Sequence, residues 1–514
     1  DIKEKRGSER EKRNSLSKQE NSMCASVSDI GVLGLGVMGQ MLALNVADHG
    51  FDVSVYNRTT SKMEDTLKLA EEQGKGAFKM HGYEGLEAFV ASLKRPRRVL
   101  LMLTAGGAVD AVAQQLFPLL EEGDIIIDGG NEWYENTEKR QSLAAEQGIH
   151  WIGMGVSGGE EGARYGPSMM PGGNAEAYKA LQPIVEKCAA QVKEGPCVTY
   201  IGPGASGNYV KMVHNGIEYA DMQLLVESYQ ILRDVGGLNH QELHEVFADW
   251  NRGELDSFLV EITSKIFLKK DDLVSDGSYL VDKILDSAGN KGTGKWTAQE
   301  GCEVGVPINS ISAALFARYI SSFTDLRAEA SSILTGPNEE ELQAAREQMP
   351  REELIEAVRH ALYCSKICAY AQGLHLLQVT SDRHGWDLNL GKISTIWKGG
   401  CIIRAVFLDR IRAAYERNPR LANLLLDEDF AGEVNSRQRN WRKIIALTAQ
   451  AGIPAPAFMD SLAYFDSLRS KRLPANLIQA QRDFFGAHTF LRVDRSGGPF
   501  HAIWEDAENA GGSS

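Results

Sequence analysis

No pair among the seven cysteines has the C-x-x-C spacing, and an odd number cannot pair completely. The thiols at 24, 188, 197, 302, 364, 368 and 401 therefore read as reduced residues of a cytoplasmic protein without structural zinc. His240 and His244 stand at i, i+4 but lack a third ligand nearby, so they read as a polar helix face and no metal is expected. Long basic runs are also missing, and the net charge is −14, which argues against nucleic acid as a partner. Anionic small substrates stay compatible with that charge if basic residues gather locally. The longest apolar run, Val99 to Leu120, holds Gly106, Gly107, Asp110, Gln114 and Gln115 and reads as strand, loop and helix, so no membrane span is expected. Residues 1–28 lack any apolar stretch and mix five acidic with seven basic side chains. They are expected to be a disordered extension, neither a secretory signal nor a typical transit peptide, with Met23 a candidate start.

At 514 residues the chain is too long for one core. Its first part, 29–202, is expected to be a doubly wound α/β domain. Residues 29–33 read as a buried strand running into Gly34-Leu35-Gly36-Val37-Met38-Gly39, then a helix to about His49 and a second strand at 52–56. The glycine motif is weak alone and strong in this strand–turn–helix–strand context, where the helix N-terminus faces a pyrophosphate. The second strand ends in Asn57-Arg58-Thr59 rather than an acidic residue, with Lys62 one turn on. A planar guanidinium and a hydroxyl there suit a 2′-phosphate, so the expected cofactor is NADP rather than NAD. Further strands are expected at 98–103, 124–127, 149–153 and 198–201. Polar, glycine-bearing segments end three of them: Thr104-Ala105-Gly106 just after Leu103, Asp128-Gly129-Gly130-Asn131, and Ser157-Gly158-Gly159-Glu160. Three such turns on one rim predict a cofactor or anion pocket.

After Gly202-Pro203-Gly204 the strand pattern gives way to helices over 203–465, and a tail follows over 466–514 that looks too short to build its own core. Lys211, His214, Asn215, Glu218 and Tyr219 fall at i, i+3, i+4, i+7 and i+8 of one helix, among apolar and small neighbours. An ordinary solvated face carrying an i, i+7 ion pair is one reading; a site is the other, since a buried unpaired charge is costly. A weak internal echo separates them. Tyr219-Ala220 precedes Trp250-Asn251-Arg252-Gly253, as Tyr370-Ala371 precedes Trp397-Lys398-Gly399-Gly400. The second copy carries Leu362, Ser365, Lys366 and Ala369 where the first has Lys211, His214, Asn215 and Glu218. Packing therefore does not require the polar stripe, which favours chemistry.

The segments GLGVMG, YNRT, IIIDGGN, GVSGGEEGARYGPSMMPGG, KMVHNGIEYADMQ, KGTGKWT, FARYISS and QAQRDFFGAHTF, in this order from about Ile30 to Trp504, resemble the 6-phosphogluconate dehydrogenase family of the β-hydroxyacid dehydrogenases. The resemblance implies NADP-dependent oxidative decarboxylation of 6-phosphogluconate to ribulose 5-phosphate and CO₂. It implies Lys211 as base and then acid, and Glu218 as a second acid. Gly34 to Gly39, Asn57, Arg58, Thr59, Leu103, Thr104, Ala105 and Asn131 would hold NADP. Asn131, Ser157, Gly158, Gly159, His214 and Asn215 would orient the substrate, and Tyr219, Lys291, Thr293 and Arg318 would bind its phosphate. Arg482 and His488 would come from the partner subunit of an obligatory homodimer with a shared active site. Thr104 departs from the lysine of many relatives, and Lys295 receives no role. Another β-hydroxyacid dehydrogenase, or an inactive NADP-binding protein, is the alternative.

Overall fold

Short runs of branched aliphatic residues punctuated by glycine-bearing turns build the first part of the molecule. The computed structural model describes residues 28–76, 79–274 and 276–504. Strands β1 (Ile30–Leu33), β2 (Val53–Tyr56), β3 (Met80–Tyr83), β4 (Arg98–Leu101), β5 (Ile125–Asp128), β6 (His150–Ser157) and β7 (Ser168–Gly172) form one sheet in the order β3-β2-β1-β4-β5-β6-β7. All neighbours pair in parallel except β6 with β7. Sequences such as Ile125-Ile126-Ile127 are apolar at every position because both sheet faces are buried under helices. Strand order reverses between β1 and β4, and the crevice at their carboxyl ends is where such sheets bind ligands.

Two expectations are corrected here, and two strands emerge that were not expected. Ser28 falls in the expected disordered extension, whose other residues lie outside those described. It is buried, bridges to Leu93 and accepts a hydrogen bond from Ser54 Oγ at 2.8 Å, so Ser28 belongs to the first domain rather than to the extension. The expected strand at 198–201 makes only isolated bridges. Its place beside β6 is taken by β7, and Pro171 of β7 has no N–H to extend a ladder outward. β3 and β7 themselves were hidden, one in a four-residue edge segment and the other inside a glycine-rich motif.

The helices used below are α1 (Val37–Asp48), α2 (Tyr134–Ala145), α3 (Ser206–Asp234), α4 (Thr293–Val304), α5 (Asn309–Ser321), α6 (Arg351–His384) and α7 (Ala475–Gly486). Sheet and helices belong to one compact unit that ends at Ser461. The reason is visible where α3 crosses the sheet. A Cβ on Gly207 would lie 2.2 Å from the carbonyl oxygens of Gly153 and Met170, and one on Gly172 would lie 2.3 Å from the Gly207 nitrogen. Glycines on both partners thus let a 29-residue helix lie directly on β6 and β7. The long helix α6 packs beside α3, and Lys366 and Asp221 form a buried ion pair between them at 2.5 Å. This is the echo helix, and its single stripe lysine is spent on packing.

The second unit, from Leu462, contains one buried carboxylate that gathers its loops. Asp483 is fully buried and accepts from the backbone N–H of Thr489 and Ala502, from His501 Nδ1 and from Trp504 Nε1, all within 3.0 Å. These bonds hold its carboxyl below the usual carboxylate range against the opposing effect of burial. Arg482 and His488 flank this hub and are exposed.

Candidate active site

The GLGVMG turn forms the first part of the site. Gly34 has φ +99°, and a Cβ there would lie 2.6 Å from the Met102 carbonyl oxygen. A Cβ on Gly39 would fall 2.0 Å from the Gly34 carbonyl oxygen, so α1 can start this close to β1 only with glycine. Gly36 instead faces open space, and as N-cap of α1 it offers no side-chain acceptor to the first-turn amides. Unclaimed helix N-terminal donors beside an open cradle fit a dinucleotide pyrophosphate. Asn57 braces this turn: its Oδ1 accepts from the Leu35 N–H at 3.0 Å and its Nδ2 donates to the Thr59 carbonyl at 3.0 Å. Arg58 and Thr59 at the end of β2 are exposed, with no acidic residue between them and Tyr56.

Leu103, Thr104 and Ala105 follow β4, immediately beside this turn, and Asn131 follows β5; Thr104 and Asn131 are exposed. Behind these two loops lies a set of buried charges that the sequence reading missed. Arg140 of α2, Glu132 and Asp128 are all buried, and Arg140 Nη1 lies 2.6 Å from Glu132 and 3.5 Å from Asp128. Burial, reinforced by the neighbouring Glu132 charge, pushes the Asp128 carboxyl up to about 7. The DGGN motif marked the loop; nothing in its spacing pointed to an arginine nine residues after Asn131.

The stripe on α3 is buried, which excludes the solvated-face reading. Lys211 is 5% exposed, and His214, Asn215 and Tyr219 are likewise buried, while Glu218 keeps 21% of its side chain open. The i, i+7 ion pair of that reading gives way to a shorter link: Lys211 Nζ donates to Asn215 Oδ1 at 2.7 Å. His214 Nδ1 donates to the same oxygen at 3.0 Å, and Glu218 stands 3.9 Å from that ring nitrogen. With Nδ1 as donor, His214 Nε2 accepts the Ser157 hydroxyl at 3.5 Å. Burial lowers the Lys211 pKa, and the Glu218 charge only partly opposes it. Burial and the adjacent Lys211 hold His214 well below its ordinary value, so the ring is neutral. Glu218 is raised by burial, against Lys211 and Arg318. The stripe therefore combines a lysine biased toward its neutral amine with a glutamate biased toward its acid form.

Close approach sets the stripe against the cofactor sheet. A Cβ on Gly155 of β6 would lie 2.2 Å from Lys211 Cβ. Gly158, at φ +113°, has room for no side chain, since a Cβ would lie 2.6 Å from the Gly400 carbonyl oxygen. This brings the Ser157-Gly158-Gly159 turn beside His214. On the other side of α3, Gly294 admits the Tyr219 ring and Thr297 Oγ1 donates to the Met212 carbonyl at 2.8 Å. Helix α4 is thereby docked with Thr293 in its first turn, buried, and Lys291 just before it, exposed; Lys295 is exposed as well. The Arg318 guanidinium of α5 stacks 3.5 Å from the centre of the Tyr219 ring. The structure thus joins Ser157, Lys211, His214, Asn215 and Glu218 through direct contacts and stacks Arg318 on Tyr219, while the expected cofactor residues follow β1, β2, β4 and β5. Arg482 and His488 belong to the separate second unit. Among the described residues no cluster of metal-binding side chains occurs, and no helix is long and apolar enough to cross a membrane.

A dinucleotide cradle opening onto a buried lysine–asparagine–histidine–glutamate line defines a nicotinamide-dependent hydroxyacid dehydrogenase. The NAD binding domain of 6-phosphogluconate dehydrogenase matches residues 29–202, and the 6-phosphogluconate dehydrogenase C-terminal domain matches residues 207–504. The chain is 56% identical over 480 residues to 6-phosphogluconate dehydrogenase, decarboxylating 3, chloroplastic, of Arabidopsis thaliana, covering 93% of this chain and 98% of that one. It is 56% identical over 480 residues to the decarboxylating 6-phosphogluconate dehydrogenase of Synechococcus elongatus, covering 93% of this chain and 100% of that one. The solved Plasmodium falciparum 6-phosphogluconate dehydrogenase, described apo and in complex with NADP+ and with 6-phosphogluconate, superposes with a TM-score of 0.86 at 50% identity, covering 92% of this chain and 100% of that one. The chain belongs to the 6-phosphogluconate dehydrogenase family.

Proposed function

We propose that this chain catalyses the NADP-dependent oxidative decarboxylation of 6-phosphogluconate to ribulose 5-phosphate and CO₂. The observation that carries the reading is the buried Lys211, held on one oxygen of Asn215 beside the sheet's cofactor edge. NADP, held by the Gly34–Gly39 turn, Asn57, Arg58, Thr59 and the Leu103–Ala105 loop, supplies the hydride acceptor. Lys211 as neutral amine takes the proton of the hydroxyl β to the carboxylate as hydride leaves the same carbon. The resulting β-keto acid loses CO₂; the electron pair moves to the carbonyl, and Lys211 returns its proton to that oxygen. Glu218, biased toward its acid form, then protonates the enediol carbon while the enediol O–H proton passes to Lys211. Neutral His214, Asn215, Ser157, Gly158, Gly159 and Asn131 orient the hydroxyl and carboxylate groups. Tyr219, Lys291, Thr293 and Arg318 bind the phosphate, gathering cations on a chain of net charge −14. The test is NADPH formation by the purified chain from 6-phosphogluconate, with and without chelator, alongside unphosphorylated gluconate. Turnover of the unphosphorylated acid alone would indicate another β-hydroxyacid dehydrogenase, and no turnover an inactive NADP-binding protein.

We also propose an obligatory homodimer with a shared active site, Arg482 and His488 reaching the partner's phosphate pocket. Two observations support it: Phe316, Ile320, Phe323 and Leu326 expose an apolar stripe along α5 and beyond, and the tail exposes Leu477, Phe484 and Phe485. A native mass measurement checks the dimer. Mixing Lys211→Met with Arg482→Ala subunits checks the sharing, because mixed dimers regain one complete site; a mixture as inactive as its parents would refute it. Six free cysteines among the described residues support a reducing compartment, proposed here as the cytoplasm; plastid import of the tagged chain would overturn that.

A further inference from the structure

The rim loops carrying Ala105 and Asn131 are tied together by charges that no step of the proposed reaction uses. Gly106, at φ +86°, is held at both ends of its residue: its N–H donates to Glu132 Oε2 at 2.8 Å and its carbonyl accepts from Arg140 Nη2 at 3.0 Å. Arg140 Nη1 closes the ring on that same Glu132 oxygen at 2.6 Å, and its Nε donates to Asp110 Oδ1 at 2.7 Å on the helix that follows Gly106. The other Glu132 oxygen accepts from Trp133 N–H and from Asn136 Nδ2, at 2.8 and 3.1 Å, so the carboxylate is fixed within its own loop. Arg140 and Glu132 are buried, and a planar guanidinium reaching four partners, Asp110, Asp128, Glu132 and the Gly106 carbonyl, admits one geometry. Ala105 immediately precedes the clamped glycine and Asn131 immediately precedes the clamping glutamate.

We propose that Arg140 and Glu132 are positioning residues that lock the Leu103–Gly106 loop to the Asn131 loop and so fix the distance between nicotinamide and substrate. This rests on the reaction proposed above. The clamp acts at the β4 and β5 ends of the crevice, whereas Arg58 holds the adenosine 2′-phosphate at the β2 end. Loosening it therefore weakens one half of the cofactor and spares the other. A displacement of about 1 Å at a reacting centre is enough for roughly a hundredfold loss in rate.

The experiment uses full-length Glu132→Gln, Arg140→Gln and Arg140→Lys, and compares binding of NADP with binding of adenosine 2′,5′-bisphosphate, which lacks nicotinamide. Expected are a loss of roughly tenfold or more in kcat and several-fold weaker NADP, with the bisphosphate within about twofold of the unsubstituted chain and Arg140→Lys intermediate. Glu132→Gln leaves Arg140 paired with Asp110 and Asp128, so it decides the matter if Arg140→Gln fails to fold. NADP binding and kcat within about twofold of normal in Glu132→Gln would overturn the proposal, and so would an equal loss of bisphosphate binding, the mark of general damage. Absence of turnover in the unsubstituted chain would refute the proposed reaction, while the two binding measurements would still decide the clamp.

Discussion

Replacing Lys211 with methionine keeps the length and most of the volume of a side chain that is 5% exposed and removes its amine. The amine serves twice, as base toward the hydroxyl and as acid toward the carbonyl, and a positioned acid–base group contributes about 10²–10⁴-fold. A fall in kcat of at least about 10³-fold is expected, equivalent to roughly 4 kcal/mol of transition-state stabilisation. Ground-state binding should survive, because Asn215 and His214 remain hydrogen-bonded to each other at 3.0 Å and, of the proposed phosphate residues, only Tyr219 shares the helix of Lys211, two turns away. Stability should not fall, since the substitution removes a buried cation rather than leaving one unpaired. The pH dependence has a definite sign. Burial depresses the Lys211 pKa in the folded chain, so the unfolded chain binds more protons between that lowered value and 10.5, and lysine makes stability rise with pH across this window, by at most about 1.4 kcal/mol per pH unit. Methionine abolishes that increment. In turnover, the rate of the unsubstituted chain should climb as Lys211 loses its proton and decline once Glu218, raised above 4.5, loses its own. NADPH absorbance gives kcat, calorimetry gives the affinities of NADP and 6-phosphogluconate, and urea unfolding gives stability. A kcat within about tenfold of normal would remove Lys211 from the mechanism, and loss of both affinities would reassign it to structure.

Arg58→Asp should reverse the preference for NADP over NAD, because a carboxylate repels the 2′-phosphate; an unchanged ratio of kcat/KM values would refute the assignment. Gly155→Ala places a methyl 2.2 Å from Lys211 Cβ, so a cost of about 1–3 kcal/mol by denaturant unfolding is expected together with reduced kcat. Normal activity there would show that α3 can shift on the sheet without cost. Asp128, raised from 3.8 to about 7, binds more protons folded than unfolded, so it makes stability fall as pH rises between those values. Asp128→Asn should flatten that decline, and parallel stability curves would contradict it. Truncation before Arg482 should abolish tight substrate binding while leaving NADP affinity intact; an unchanged KM would place the tail outside the site.

The cofactor cradle was legible because its chemistry is local. Gly34, Gly36 and Gly39 specify a turn whose geometry the backbone dictates, and Asn57-Arg58-Thr59 ends the next strand at a fixed distance along the chain. The α3 stripe was legible as a stripe, since helical periodicity alone aligns Lys211 with Glu218. Whether it faced water was not, because burial is decided by what crosses the helix: Gly153, Gly155 and Gly172, each readable only as a possible turn residue, are what let α3 lie on β6 and β7. β7 escaped notice because antiparallel pairing at a sheet edge leaves little periodic signal in five residues containing a proline.

The sequence by itself determined the Rossmann-type sheet, the Asn57-Arg58-Thr59 ending of its second strand and the set of ionisable residues on α3, all consequences of short-range spacing. Tertiary structure alone decided their protonation bias, since the lowered Lys211, neutral His214 and raised Glu218 follow from desolvation and from neighbours distant along the chain. It alone produced the Arg140–Glu132–Gly106 clamp and the Asp483 hub of the tail. Both are charges that lose water, and only the folded backbone supplies the donors and acceptors that replace it.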